Sequence, residues 1–174
     1  MPDALRGLSL SAMEPSKIVV IAYDGSSASE TAIRRAGGLL AGWPALVVVV
    51  WKAGLGFELV ALPASSIGLP PAPIDVRTAV EVDQDLSEAA QRVARRGAEL
   101  AREAGFEAEG LAIADDPETP VAETIVRVLR EHDARAVVVG AHGHGGVSSL
   151  LLGSTSRDVI RHAPCPVVVT RSED

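Results

Sequence analysis

This chain of 174 residues is poor in aromatics, lysine and cysteine. It has two Trp, one Tyr and two Phe, so aliphatic side chains must build its core. Its only lysines are Lys17 and Lys52. The formal net charge is −7. Binding to nucleic acid needs Lys and Arg to displace the counterions on phosphates, and no basic stretch interleaved with aromatics is present, so a nucleic-acid surface is not expected. Cys165 is the single cysteine, which excludes a disulfide within the chain and points to a reducing compartment. No apolar run approaches a membrane span. The first residues lack the charged and continuous apolar regions of a signal peptide. By elimination the expected location is the cytoplasm, with no membrane partner.

What is present is a set of short apolar runs rich in Val and Ile, at residues 18–22, 46–51, 136–139 and 167–170, with a weaker run at 109–114. None alternates polar with apolar. Continuous runs suit strands buried on both faces, as in a parallel sheet covered by helices. Helical patterns lie between them. Residues 27–42 open on a capping-box pattern, Ser27 to Glu30, and place Ala32, Ile33, Ala36, Leu39 and Leu40 on one face. Gly42 follows as a C′ residue. A second helix is expected over 85–105, from Asp85-Leu-Ser-Glu88 to Gly105. A third runs from Thr119-Pro120, read as N-cap and first helical residue, to about His132. A fourth covers about 154–162. Alternation of this kind predicts a single α/β domain with right-handed crossovers. Its functional residues should follow the carboxyl ends of the strands.

Residues 1–16 read as an N-terminal extension and 17–174 as the domain. The stretch 53–82 carries Pro63, Pro70, Pro71 and Pro73 and reads as a long loop leaving the second strand near the site. It is either a cover for that site or an insertion without a role.

The central feature is glycine-rich. Gly140 follows the fourth strand, Gly143 comes three residues later, and Gly153-Ser154-Thr155 leads into the last helix. A helix start offers unpaired N–H groups and the positive end of the dipole, so an anion is expected near Gly153, Ser154 and Thr155. The plainer alternative is a turn with Ser154 or Thr155 as N-cap. No Walker-type glycine-lysine loop exists, and no dinucleotide fingerprint follows the first strand. With no lysine after Lys52, phosphate charge would be met by backbone N–H groups, hydroxyls, Arg157, or a divalent metal. Mg²⁺ or Mn²⁺ would arrive with the nucleotide, held by phosphate oxygens and water rather than by protein ligands.

Taken together, these residues resemble the universal stress protein family. The opening Ile18-Val-Val-Ile-Ala-Tyr-Asp24-Gly25-Ser26 is similar to the family's first strand and turn. Gly140-x2-Gly143-x9-Gly153-Ser154 resembles the pattern of its ATP-binding branch. His162-Ala-Pro-Cys-Pro166-Val-Val-Val resembles its last helix and strand. The resemblance implies a Rossmann-like α/β domain whose five-stranded parallel sheet has the order 3-2-1-4-5, flanked by four helices. It implies binding of ATP or a related adenine nucleotide (ADP, AMP or cyclic AMP). Asp24 would lie at the nucleoside, Val50 at the adenine, and Val139 and Gly140 at the ribose. Gly143, Gly153, Ser154 and Thr155 would hold phosphate. It also implies a homodimer through the final strand.

Several residues invite other readings. His142 and His144 flank Gly143. Two histidines so spaced in a glycine loop fix no metal geometry, and His142 and His144 are placed beside the phosphates, where a cationic imidazole would help. Asp115 and Asp116 form a carboxylate pair, or a polar loop before a helix. Cys165, between two prolines, reads as structural. No residue is assigned a catalytic role. The expected function is a nucleotide-dependent regulator in stress response. A slow ATP hydrolase or phosphotransferase, and a dimeric scaffold without ligand, remain open.

Overall fold

The computed structural model describes residues 18–54, 76–141 and 152–171. Five strands, β1 (Val19–Ala22), β2 (Pro44–Lys52), β3 (Glu107–Asp115), β4 (Ala136–Gly140) and β5 (Val167–Thr170), form one sheet. Its order is β3-β2-β1-β4-β5, parallel throughout. Among the described residues the helices are α1 (Ser27–Leu40), α2 (Val76–Glu103), α3 (Val121–Glu131) and α4 (Ser154–His162). The expected α/β class, sheet order and helices are therefore found.

The apolar runs are continuous because both sheet faces are covered. Val19, Ile21, Val47, Val49 and Val138 pack with Ala32, Ile33 and Ala36 of α1 and Ala90, Ala94 and Leu100 of α2. Val20, Leu46, Val48, Val137 and Val139 face the opposite way, against Ile125, Val128 and Leu129 of α3 and Val159 of α4. Each fully buried Val, Leu or Ile contributes about 1.5–3 kcal/mol, so a core this poor in aromatics is sufficient. The edge strands β3 and β5 are less buried than the central ones.

Four local expectations are corrected. Helix α1 is capped by Ser26, not Ser27: the Ser29 N–H donates to Ser26 Oγ at 3.2 Å, and Ser29 Oγ donates back to Ser26 O at 2.9 Å. Ser29 donates both bonds, so this is a serine N-cap with a side-chain-to-carbonyl bond beside it, not the reciprocal capping box that the Ser27–Glu30 pattern suggested. Leu39 is 75% exposed rather than on the buried face. The buried stripe runs through Ile33, Ala36 and Gly37 toward Leu40, which leaves Leu39 at its margin near the helix end. Helix α2 begins at Val76, nine residues before Asp85, so residues 76–82 of the expected loop are helical. Asp85-Leu-Ser-Glu88 is compatible with a helix interior, and the buried Ala79 extends the same apolar period toward the N-terminus. Helix α3 starts one residue later than expected, with Pro120 as N-cap and no side-chain cap bond. Gly42 and Gly105 both adopt positive φ, at +80° and +96°, as helix-terminating glycines do.

Candidate functional site at the carboxyl edge of the central strands

The sheet order makes β1 and β4 neighbours whose chains leave toward opposite faces. Val19, Val20 and Ile21 pair with Ala136, Val137 and Val138. The residues that follow, Tyr23-Asp24-Gly25 and Gly140-Ala141, therefore emerge side by side. Strand β2 runs on past them: Ala22 pairs with Val48, and four more residues of β2 follow. Val50 thus stands beyond the end of β1, forming one wall of this edge. Ligands of parallel α/β sheets bind at this kind of switch point.

Helix α4 returns to the same place. The Gly153 N–H donates to Ala141 O at 2.8 Å. Ser156 Oγ, buried, donates to Gly140 O at 2.6 Å. These two bonds hold the helix start against the end of β4. Gly153 is the N-cap, and it makes no side-chain cap bond. The plainer alternative, Ser154 or Thr155 as cap, is thus not what is found: both lie inside the first turn. The first-turn N–H groups of a helix lack intrahelical acceptors, and among the described residues no side-chain cap takes them. The end of α4 carries Arg161 and His162, cations suited to the negative pole of the dipole.

Asp24 is exposed, and its Oδ1 accepts from the Ser26 N–H at 3.0 Å and from Ser26 Oγ at 2.6 Å. The carboxylate therefore braces its own turn while standing at the edge of the site. Gly25, at φ +82°, makes the turn possible, with Val93 of α2 3.5 Å from where a Cβ would sit. Val139 is buried at 2%, so only its backbone faces the edge. Behind Asp24, burial pushes the Tyr23 phenol up; Glu30 and Asp24 add to this, while Arg96 and Arg34 oppose it. His142 and Gly143, like His144, lie outside the described residues. Among the expected site residues that are described, Asp24, Val50, Val139, Gly140, Gly153, Ser154 and Thr155 share this one edge.

Other candidates resolve differently. Asp115 and Asp116 are not a facing acid–base pair. Asp115 Oδ1 accepts from the Asp116 N–H at 2.9 Å, and Asp116 Oδ1 accepts from the Glu118 N–H at 2.8 Å, so each shapes the loop before α3. Arg157 donates to Leu152 O at 3.0 Å, fastening the approach to α4. Cys165 packs against the α3–α4 face of the core, and burial pushes its thiol up. Two contributors were not singled out from the sequence. Ser156 carries no motif signal beyond being a third hydroxyl after Gly153. Lys52 closes β2 and donates to Asp116 O at 2.9 Å and to Thr119 O. Among the described residues, no group of three or more His, Cys, Asp or Glu is arranged to hold a metal ion, and no helix is long and apolar enough to cross a membrane.

The family model of the universal stress proteins matches residues 118–171, which carry α3, β4, α4 and β5. A universal stress protein of Mycobacterium bovis is 40% identical over 62 residues, 32% of this chain and 21% of that relative. The chain thus matches about a fifth of that relative's length. One from Bacillus subtilis is 28% identical over 91 residues, 52% of this chain and 59% of its own. The structure of UspA from Lactobacillus plantarum superposes with a TM-score of 0.61 at 20% identity, covering 91% of this chain and 100% of that one. The Archaeoglobus fulgidus protein in complex with dAMP gives 0.52 at 24%, covering 88% and 95%. The Arabidopsis thaliana protein with AMP bound gives 0.57 at 16%, covering 90% and 92%. At these identities the superpositions speak for the fold alone. Fold, family model and relatives point the same way: this chain is similar to the universal stress proteins, with the family model matched over residues 118–171.

Proposed function

We propose that this protein binds ATP or a related adenine nucleotide at the carboxyl edge of β1 and β4, and acts in the cytoplasm as a nucleotide-dependent regulator in stress response. The observation that carries this reading is the start of α4, docked on the end of β4 with no side-chain cap of its own. Its N–H groups and the Ser154 and Thr155 hydroxyls are donors suited to phosphate oxygens. Asp24 stands at the adjoining edge for ribose or base, and the backbone at Val50 for adenine. Val139 and Gly140 would floor the ribose, with His142 and Gly143 beside the phosphates. The AMP and dAMP complexes of proteins with this fold support the ligand class. Mg²⁺ or Mn²⁺ would be carried on phosphate oxygens and water. Backbone donors, hydroxyls and a turn-bracing carboxylate suit binding better than turnover.

The test is calorimetry with ATP, ADP, AMP and cyclic AMP. Binding of at least one is expected, and binding of none overturns the reading. Gly153 has φ −58° and ψ 157°, which a β-branched residue can adopt. Gly153→Val should therefore keep the fold while crowding the phosphate donors, and weaken ATP binding by about tenfold or more. Unchanged affinity in a folded variant places the phosphates elsewhere.

A further inference from the structure

The segment of β2 that reaches past β1 is held from both faces of the sheet, immediately after the residues assigned to adenine. Lys52 follows Leu46, Val48 and Val50 at every second position, so its side chain lies on the α3 face. There its ammonium donates to two carbonyls of the β3–α3 connection, Asp116 O at 2.9 Å and Thr119 O. That connection is a closed turn, with the Thr119 N–H donating to Asp116 O at 3.1 Å. One residue on, the Ala53 N–H donates to Asp115 O at 2.9 Å, extending the ladder past its last strand pair, Lys52 with Asp115. Gly54 then turns at φ +88° and donates its N–H to Asp83 Oδ2 of α2 at 2.8 Å, on the other face. The side chain of Asp115, 8% exposed, stands beside this link with Arg127 at 3.9 Å.

This fastening is chemically specific. A lysine has three donors and no acceptor, so two carbonyls can be held at once. Lys52 is the only lysine among the described residues. It lies two residues beyond Val50 and next to Trp51, where a small shift of backbone would move any base-reading donor or acceptor. A binding constellation needs its groups held to about 0.5 Å, and side chains one shell back do the holding.

We infer that Lys52 is a positioning residue for adenine recognition: by tying the end of β2 to the Asp116–Thr119 turn, it fixes the Val50–Trp51 backbone against which the base is read. The inference rests on the nucleotide reading above. It separates base from phosphate, because the phosphate donors belong to α4 and are anchored through Gly140 and Ala141 instead.

The experiment compares the unsubstituted chain with Lys52→Met and Lys52→Arg. Lys52→Met keeps an apolar stem and removes the donors; Lys52→Arg keeps the charge and donors. Calorimetry with AMP, GMP and inorganic tripolyphosphate is combined with amide hydrogen exchange over residues 50–54 and 116–119. Lys52→Met should weaken AMP by about tenfold, narrow the AMP-over-GMP preference, and leave tripolyphosphate unchanged. Exchange should quicken in both segments, and Lys52→Arg should recover most of the AMP affinity. Quickened exchange with unchanged AMP affinity and base preference reduces Lys52 to a structural link and overturns the inference alone. Equal losses for AMP and tripolyphosphate overturn it as well. No nucleotide binding by the unsubstituted chain overturns the nucleotide reading, and this inference with it.

Discussion

Gly37 and Gly38 are chain neighbours on α1 with opposite surroundings. A Cβ on Gly37 would lie 2.3 Å from the backbone oxygen of Ala104, whereas a Cβ on Gly38 meets nothing within 4 Å. Backbone cannot swing aside as a side chain can. Gly37→Ala should therefore cost about 1–3 kcal/mol, through displacement of α1 from the end of α2. Gly38→Ala should stabilise by about 0.5–1 kcal/mol, since alanine loses less backbone entropy in a helix. Urea denaturation of the two variants checks both signs. Two weak acids, the half-buried Cys165 and the buried Tyr23, make a second prediction. Burial raises Cys165 above the ordinary thiol value of 9.0, and burial with nearby carboxylates raises Tyr23 above the ordinary phenol value of 10.0. Both groups charge by losing a proton, and the folded chain holds that proton longer. The stability they contribute is full below those ordinary values and is lost as pH rises through the folded ones. The urea midpoint should accordingly fall on going from about pH 8 to about pH 11. Tyr23→Phe should flatten the upper part of that decline; an identical decline in the variant would show that other groups control it.

At the scale of elements, strands and helix ends differ in how openly the sequence displays them. The strands were legible because parallel pairing buries both faces, so Val and Ile runs needed no alternation to be recognised. Glycine ends were legible for a similar reason: Gly42 and Gly105 must supply positive φ where a helix stops. The amino ends were less so. Ser26 and Ser27 are both competent caps, and only the geometry of Ser29 chooses between them. The true start of α2 was hidden for a related reason, since an internal capping pattern at Asp85 masks a helix already two turns long. Helix α2 spans 28 residues, about 42 Å, against about 30 Å for the nine residues of β2. With Asp83 level with Gly54, its first turns extend past the carboxyl edge of the sheet.

At the scale of the molecule, the sheet leaves β5 as an edge, half-buried on both faces over Val167–Val169 and hydrogen-bonded only to β4 among the described residues. An exposed edge strand of this kind is a template for pairing with another chain. We propose on this ground the homodimer through the final strand that the family resemblance implies. Sedimentation velocity should find twice the 18.0 kDa of one chain, and amide exchange in β5 should slow as protein concentration rises. Exchange in β5 that ignores concentration would exclude this strand as the interface. Nucleotide should stabilise the whole domain by mass action: at a concentration 100 times its Kd, ATP adds about 2.7 kcal/mol, read as a raised Tm. A Tm indifferent to saturating nucleotide would contradict binding to the folded state.

By itself the sequence determined the alternating α/β class, the double-faced burial of the strands, and the glycines that end α1 and α2. These are local properties, since apolar period, helix-stopping glycines and motif spacing are written in consecutive residues. Only the tertiary structure decided which edge gathers Asp24, Val50, Gly140 and Gly153, because strand order brings β1 beside β4 across more than a hundred residues of chain. It also decided that α4 starts at a glycine N-cap and is docked through Ser156, and that Lys52 spans from β2 to the Asp116–Thr119 turn. Contacts at that separation leave no period or spacing in the sequence, because each is made by one residue meeting the backbone of a distant turn.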